Sequence, residues 1–235
     1  MAKTIALLAG MFLVPYLIGS IPFAYIIVKM VTGEDITEHG TGNVGAMNVR
    51  RSTGSWGWFI AAMFADAFKG IIPVAAAKAL TFFGPYFYQP AGTALGPLDS
   101  SASTLAYLLI WLPVAGCVIG HNYSFWMALI KRGFHRTGKG LATGGGALLA
   151  YDWRYFVAVV VVGLAVIAIT RYMMAGQVAA SWTLPAAAFA LRSPDWPFAL
   201  VMGAVVYAAH HKRFVGLLQG KEPKLYINDR MGPRG

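Results

Sequence analysis

The densest set of chemistry-bearing residues in this chain is Gly-Thr-Gly-Asn-Val-Gly at 40–45, followed by Asn48, Arg50 and Arg51. Glycine lets successive backbone N–H groups turn toward one point, and N–H groups arranged in that way bind phosphate. Gly40, Gly42 and Gly45 open the backbone, while the Thr41 hydroxyl and the Asn43 and Asn48 amides add neutral hydrogen-bonding groups. The arginines add charge-assisted bonds that a phosphate accepts in pairs. The motif follows directly on an apolar span that ends near Lys29, so this anion site lies beside a lipid phase. Chemistry on something phosphorylated and something greasy is the expectation.

A second glycine-rich segment reads Gly133-Phe134-His135-Arg136-Thr137-Gly138-Lys139-Gly140, shortly after Gly120-His121-Asn122-Tyr123. It nearly matches the nucleotide-binding pattern G-x-x-x-x-G-K followed by Ser or Thr. Gly140 stands where the magnesium-holding hydroxyl belongs, and no strand precedes the loop, which excludes a nucleotide-hydrolysing P-loop. What survives is a glycine-opened loop with Lys139 as a point charge at the start of a short helix, whose N-terminus favours anions. A plain cationic loop at the membrane edge is the alternative. Asp66 and Lys69, three residues apart in an apolar stretch, share a helix face and can pair. Charges inside a membrane point to function, and a pair that orients helices explains them equally well. His121 and His210 have the chemistry of acid–base groups or phosphate donors, and also of interfacial hydrogen-bonding residues. His210 and His211 are adjacent and point to different helix faces, and no carboxylate or thiol cluster accompanies them, so no metal is expected. Asn122-Tyr-Ser fits a glycosylation sequon but falls at the cytoplasmic edge of the topology derived below. Cys117, the single cysteine, excludes an internal disulfide and reads as a small buried hydrophobe.

The elements that must position these residues are membrane helices. The chain is 57% apolar and 12% charged, with a mean hydropathy of +0.59, which excludes an ordinary soluble domain. The net charge of +10 matches the basic loops of a membrane protein, and the apolar fraction argues against nucleic acid as a partner. Apolar spans run over about 5–30, 55–80, 103–130, 154–170, 172–191 and 195–211, each near the ~20 residues that a crossing helix needs. Lys29 and Lys78, near span ends, are expected to snorkel. Six spans conflict with the charges. Arg50 and Arg51 put loop 31–54 inside, and Lys131, Arg132, Arg136 and Lys139 put 131–139 inside. The tail is equally basic, with Lys212, Arg213, Lys221, Lys224, Arg230 and Arg234, yet six spans would leave it outside. One further crossing over 140–150 removes the conflict. At 1.5 Å per residue it spans about 17 Å against a ~30 Å core, so it is a short, broken crossing lined by protein. The expected fold is therefore all-α: one polytopic membrane domain over 1–235 with about seven transmembrane helices, N-terminus out and C-terminus in. An external loop occupies 83–102 and a cytoplasmic tail 214–235. This topology brings 40–51, 131–139 and 210–213 to one face.

In order and spacing these segments resemble the bacterial acyl-phosphate:glycerol-3-phosphate acyltransferases, the PlsY family, over almost the whole chain. The resemblance begins with Gly19-Ser20-Ile21-Pro22-Phe23-Ala24-Tyr25 and Lys29, and continues through Asp35-Ile36, Glu38, the motif at 40–48 and Arg51. Asp66, Lys69, Gly70 and Pro73 follow, then Gly120-His121, Gly138-Lys139-Gly140 with Thr143, Arg171-Tyr172, His210, and Gly220 with Glu222. It implies a seven-helix enzyme of the bacterial inner membrane, without cofactor, serving phospholipid biosynthesis from a cytoplasmic active site. The implied reaction moves a fatty acyl group from acyl phosphate to the 1-hydroxyl of sn-glycerol 3-phosphate, giving lysophosphatidic acid and phosphate. Acyl phosphate is already activated, so no nucleophilic cysteine or serine triad is needed. The protein must position two phosphorylated molecules, neutralise their charge and exclude water.

By position in the family's motifs, Thr41 stands for a serine, Arg51 for the motif arginine, Lys139 for the glycine-loop lysine and His210 for the third-motif histidine. These four form the implied catalytic set. Gly40, Gly42, Asn43, Gly45, Asn48, His121, Gly138, Gly140, Thr143, Arg171 and Arg213 form the implied substrate-binding set. Arg51 and the 40–45 backbone would bind phosphate, and Lys139 would neutralise charge. His210 would orient or deprotonate the attacking hydroxyl, unless the substrate's phosphate takes that proton. The chain departs from the pattern at Met47 for threonine, Thr137 for glycine and Met174 for serine. In the third motif Lys212 and Arg213 replace an acid and an amide. Two other readings stay open: an acyltransferase for another phosphorylated polyol, and a membrane carrier of phosphorylated metabolites.

Overall fold

A computed structural model describes residues 2–83, 101–222 and Lys224. Among them there is no strand. The helices are α1 (Ala2–Gly19), α2 (Phe23–Thr32), α3 (Ala46–Thr53), α4 (Trp56–Phe83), α5 (Ser101–Asn122), α6 (Phe125–Lys131), α7 (Leu141–Tyr151), α8 (Trp153–Thr170), α9 (Met173–Ala190) and α10 (Trp196–Leu218). Ala2–Thr32, Trp56–Thr81, Tyr107–Lys131 and Trp153–Thr170 are long and apolar enough to cross a membrane. α9 and α10 have the length but are less apolar. The chain is helical through Leu218, so the tail expected from 214 begins later. Of the expected 83–102 loop, 84–100 lies outside the described residues, as does the tail from 225 onward.

Two of the expected spans are bent pairs. The first breaks between Gly19 and Phe23, where Pro22 has no N–H to give and precedes α2. At the break the Ile21 carbonyl accepts from the Phe23 N–H at 3.1 Å and from Lys69 Nζ of α4 at 2.8 Å. The same ammonium pairs with Asp66 Oδ1 at 2.8 Å. The third expected span breaks at Ser124, whose hydroxyl accepts from the Met127 N–H at 3.1 Å and caps α6. That hydroxyl also donates to the Ser20 carbonyl at 2.5 Å, so the two breaks are bonded to each other. Of the two readings of Asp66 and Lys69, Lys69 thus has the helix-orienting role, while Asp66 also reaches the cavity described below.

Where the short crossing was expected, at 140–150, the chain forms the helix α7. Its Thr143, Gly146, Ala147 and Leu148 are buried, and it packs most extensively on α4 and also on α5 and α8. A Cβ at Gly70 would run into the Thr143 carbonyl oxygen, and one at Gly146 into that of Ala67. Small residues are what permit two helices to come this close. Lys78 does not snorkel as expected. Its ammonium donates to the Ala150 and Tyr151 carbonyls at 3.0 and 2.9 Å, satisfying acceptors that the end of α7 leaves open. Lys29 folds back onto the Gly33 carbonyl at 2.7 Å. Val74, Val118, Ala147, Leu184 and Met202 belong to the central core, so the short helix sits inside the bundle.

Candidate active site

A cavity of about 230 Å³ opens at one end of the bundle. Its wall comes from loop 41–45, α3, the N-terminal halves of α4, α7 and α9, and the C-terminal ends of α5 and α10. Of the sequence-derived site residues, Thr41, Asn43, Gly45, Asn48, Arg51, His121, Lys139, Gly140 and Arg213 line it. Three segments distant in sequence do converge.

Hydrogen bonds explain why the loops hold this shape. Asn48 is buried, donates through Nδ2 to the Ile36 and His39 carbonyls at 3.0 Å each, and accepts from the Thr41 N–H at 3.4 Å. Its amide clamps the loop more than it offers itself to a ligand. Gly40 sits at φ 57, and a Cβ there would collide with Asn48 Oδ1, so this corner needs glycine twice over. The Val44 N–H donates to the Thr137 carbonyl at 2.7 Å, and the Thr137 N–H donates to Asn122 at 2.8 Å, which stitches the two glycine-rich loops together. The Thr137 hydroxyl, absent from the family pattern, donates within 2.9 Å of the His121 carbonyl and 3.2 Å of the Asn122 carbonyl. His121 lies with Nδ1 3.7 Å from Asp66 Oδ1, and its ring fills the space that a side chain on Gly138 would take. Glycine at 138 is therefore support for His121 rather than part of the wall.

The electrostatics favour anions. The first turns of α3 and α7 both reach the cavity, through Gly45 to Met47 and Gly140 to Ala142, and neither carries a side-chain cap. Two helix N-termini with open N–H groups aim at one space. Arg51, Lys139, Arg213 and Lys224 add positive charge, and Asp66 is the one carboxylate of the wall among the described residues. Lys139 is pushed down to about 7 by burial, then by the nearby Arg213 and Arg136, with Glu222 opposing and Arg51 adding to the repulsion. An anion in the cavity relieves that repulsion.

Several expected residues stand elsewhere. His210 is fully buried and lies outside the cavity wall; its Nδ1 meets the Val206 carbonyl at 2.7 Å. A carbonyl only accepts, so Nδ1 carries the proton and the second nitrogen is left as an acceptor. Thr143 is fully buried, and its carbonyl faces α4. Arg171 ends α8 at φ 60 and is exposed away from the wall. Gly42, at φ 68, turns the loop against the Thr37 carbonyl. The sequence reading missed Gln177, Met173, Phe59 and Met63, which line the cavity from α9 and α4. The Gln177 side-chain oxygen is buried with no protein partner among the described residues. The only available signal was an amide in the first turns of an apolar helix.

Known proteins share this sequence and arrangement. The family model for glycerol-3-phosphate acyltransferase matches residues 9–220. The glycerol-3-phosphate acyltransferase of Thermus thermophilus is 34% identical over 215 residues, 91% of this chain and 92% of its own. That of Gluconobacter oxydans is 33% identical over 221 residues, 92% of each chain. That of Wolbachia pipientis is 31% identical over 211 residues, 90% of this chain and 94% of its own. The crystal structure of PlsY, an integral membrane glycerol 3-phosphate acyltransferase, in its glycerol 3-phosphate form superimposes with a TM-score of 0.73 at 27% identity, covering 95% of this chain and 96% of that one. Its lysophosphatidic acid form gives 0.71 with the same identity and coverage. The chain belongs to the glycerol-3-phosphate acyltransferase family, PlsY, of integral membrane proteins.

Proposed function

We propose that this chain transfers a fatty acyl group from acyl phosphate to the 1-hydroxyl of sn-glycerol 3-phosphate within the cavity at 41–51, releasing lysophosphatidic acid and phosphate. The observation that carries this reading is the convergence of two uncapped helix N-termini with Arg51, Lys139 and Arg213 around one cavity. The open N–H groups of α3 and α7 and Arg51 hold phosphate oxygens. Lys139 neutralises the charge that develops on the leaving phosphate. The attacking hydroxyl forms the new ester bond, the acyl–phosphate C–O bond breaks, and a phosphate oxygen takes the proton. Asp66 is held by Lys69, and His210 Nδ1 is committed to the Val206 carbonyl. Gln177 offers a neutral amide to the acceptor's hydroxyls. An apolar cleft between α5, α7, α9 and α10, lined by Val118, Leu148, Leu184, Met202 and Val206, meets the cavity at Gly140 and Leu141 and takes the acyl chain.

The same reading carries the topology: one membrane domain, seven crossings, N-terminus out, and the cavity on the cytoplasmic side of the bacterial inner membrane. Supporting it, the cavity draws on the N-terminal halves of α4, α7 and α9 and the C-terminal ends of α5 and α10, and the basic residues Lys139 and Arg213 line it. The test gives purified protein in lipid acyl phosphate with glycerol 3-phosphate or with other phosphorylated polyols. Lysophosphatidic acid formed only with glycerol 3-phosphate is the expected result. Turnover only with another acceptor, or phosphate-ester flux into liposomes without turnover, overturns it.

A further inference from the structure

α10 ends in a turn that folds the chain back on itself. Gly220 at φ 69 donates to the Leu217 carbonyl at 3.0 Å, and Lys221 donates to Gly216 at 2.8 Å. The turn sets Glu222 beside Gly216, where a Cβ would lie 3.7 Å from its Oε1. There the carboxylate, 11% exposed, accepts from Arg213 Nε at 2.8 Å and from Nη2 of the same guanidinium. Both bonds fall on one edge of the fork, so the Nη1 edge stays available. Arg213 also belongs to the cavity wall. Two residues beyond Glu222, Lys224 reaches that wall and lies 5.9 Å from the Tyr172 ring.

We propose that Arg213 grips the phosphate of the acceptor, and that Glu222 is its positioning residue, holding one edge of the guanidinium so that the other faces the cavity. This rests on the acyltransferase reading above and deepens it: Arg213 selects a phosphomonoester dianion over a neutral polyol. Left alone among Arg51, Arg136 and Lys139, a mobile guanidinium would be driven away from the cavity by like charge. A largely shielded carboxylate at its back removes that freedom and part of the repulsion. Glu222 also favours the charged form of Lys139. The ligand's phosphate then meets a preset donor pair instead of ordering one.

The test is a double-mutant cycle on the full chain in lipid, with acyl phosphate and glycerol 3-phosphate varied separately. Arg213→Asn is expected to raise KM for glycerol 3-phosphate at least tenfold, with kcat within threefold and KM for acyl phosphate within twofold. Glu222→Gln is expected to raise the same KM three- to tenfold. The double variant is expected to match Arg213→Asn alone, because Glu222 acts through Arg213. A merely structural tail would instead lower the melting temperature and add to the Arg213→Asn loss. Equal KM values in unaltered protein and Glu222→Gln, additive losses, or a change confined to acyl phosphate overturn the proposal while the acyltransferase reading stands. Failure of the unaltered protein to use glycerol 3-phosphate overturns both.

Discussion

Arg51 from α3 and Lys139 from the loop before α7 bring charge to one cavity, and each is expected to matter to the reaction itself. Lys139→Ala or Arg51→Ala lowers kcat/KM by about a hundredfold or more if each stabilises developing phosphate charge, as steady-state assays in lipid would show. Lys139 also predicts a pH dependence. Burial and its cationic neighbours push its pKa down to about 7, so the cation is present below that pH and lost above it. kcat/KM therefore falls between pH 6 and 9. The phosphate's own second ionisation, near pH 6, works in the opposite sense. Comparing unaltered protein with Lys139→Arg, which stays charged, isolates the lysine, and the arginine variant shows the flatter profile. Much of this set was legible as residue types: glycines, Arg51 and Lys139 announce an anion site by chemistry alone. That His210 would lie outside the cavity wall was not legible, because helical spacing does not say which face looks into a cavity. Glu222 could not be tied to Arg213, since nine residues across a helix end is not a contact spacing, although Gly220 marked the turn that makes it one.

The elements show what has to be rigid for those groups to meet. α7 positions Gly140 and Lys139, and α4 positions α7 by backbone approach at Gly70 and Gly146. Gly146→Ala forces the helices apart, which costs about 1–3 kcal/mol as overpacking. A thermal melt in detergent should show a drop of several degrees, with activity falling alongside. Gly10→Ala, at a position with nothing within 4 Å, should leave both unchanged. The existence of α7 was legible only through charge: eleven uncharged residues rich in glycine and alanine look like a loop until the basic tail has to be brought to the same side as Lys131 and Arg136. The bends were not legible. An apolar run from 5 to 30 carries two prolines, Pro15 inside α1 and Pro22 at the bend, and a proline in a membrane helix can be a kink or a corner. What decides for a corner is Lys69, reaching the Ile21 carbonyl from 48 residues away.

At the scale of the whole molecule, the proposed topology of seven crossings with the C-terminus inside predicts where reagents reach. Cys117 is buried, so new cysteines can report without a native background. Phe134→Cys and Leu218→Cys, both at exposed positions, should react with a membrane-impermeant thiol reagent only from the cytoplasmic side. Arg192→Cys, in the exposed turn after α9, should react only from the other. Labelling of all three from one side would contradict the topology. The central claim is narrower than topology: one cavity holds the phosphates of both substrates and couples their chemistry. The most direct measurement follows labelled acyl phosphate and glycerol 3-phosphate with purified protein in lipid, and counts phosphate released against lysophosphatidic acid formed. One phosphate for each lysophosphatidic acid, with both lost together in Lys139→Ala, is the predicted result. Phosphate release that continues without lysophosphatidic acid, or transfer that survives in Lys139→Ala at full rate, would contradict it.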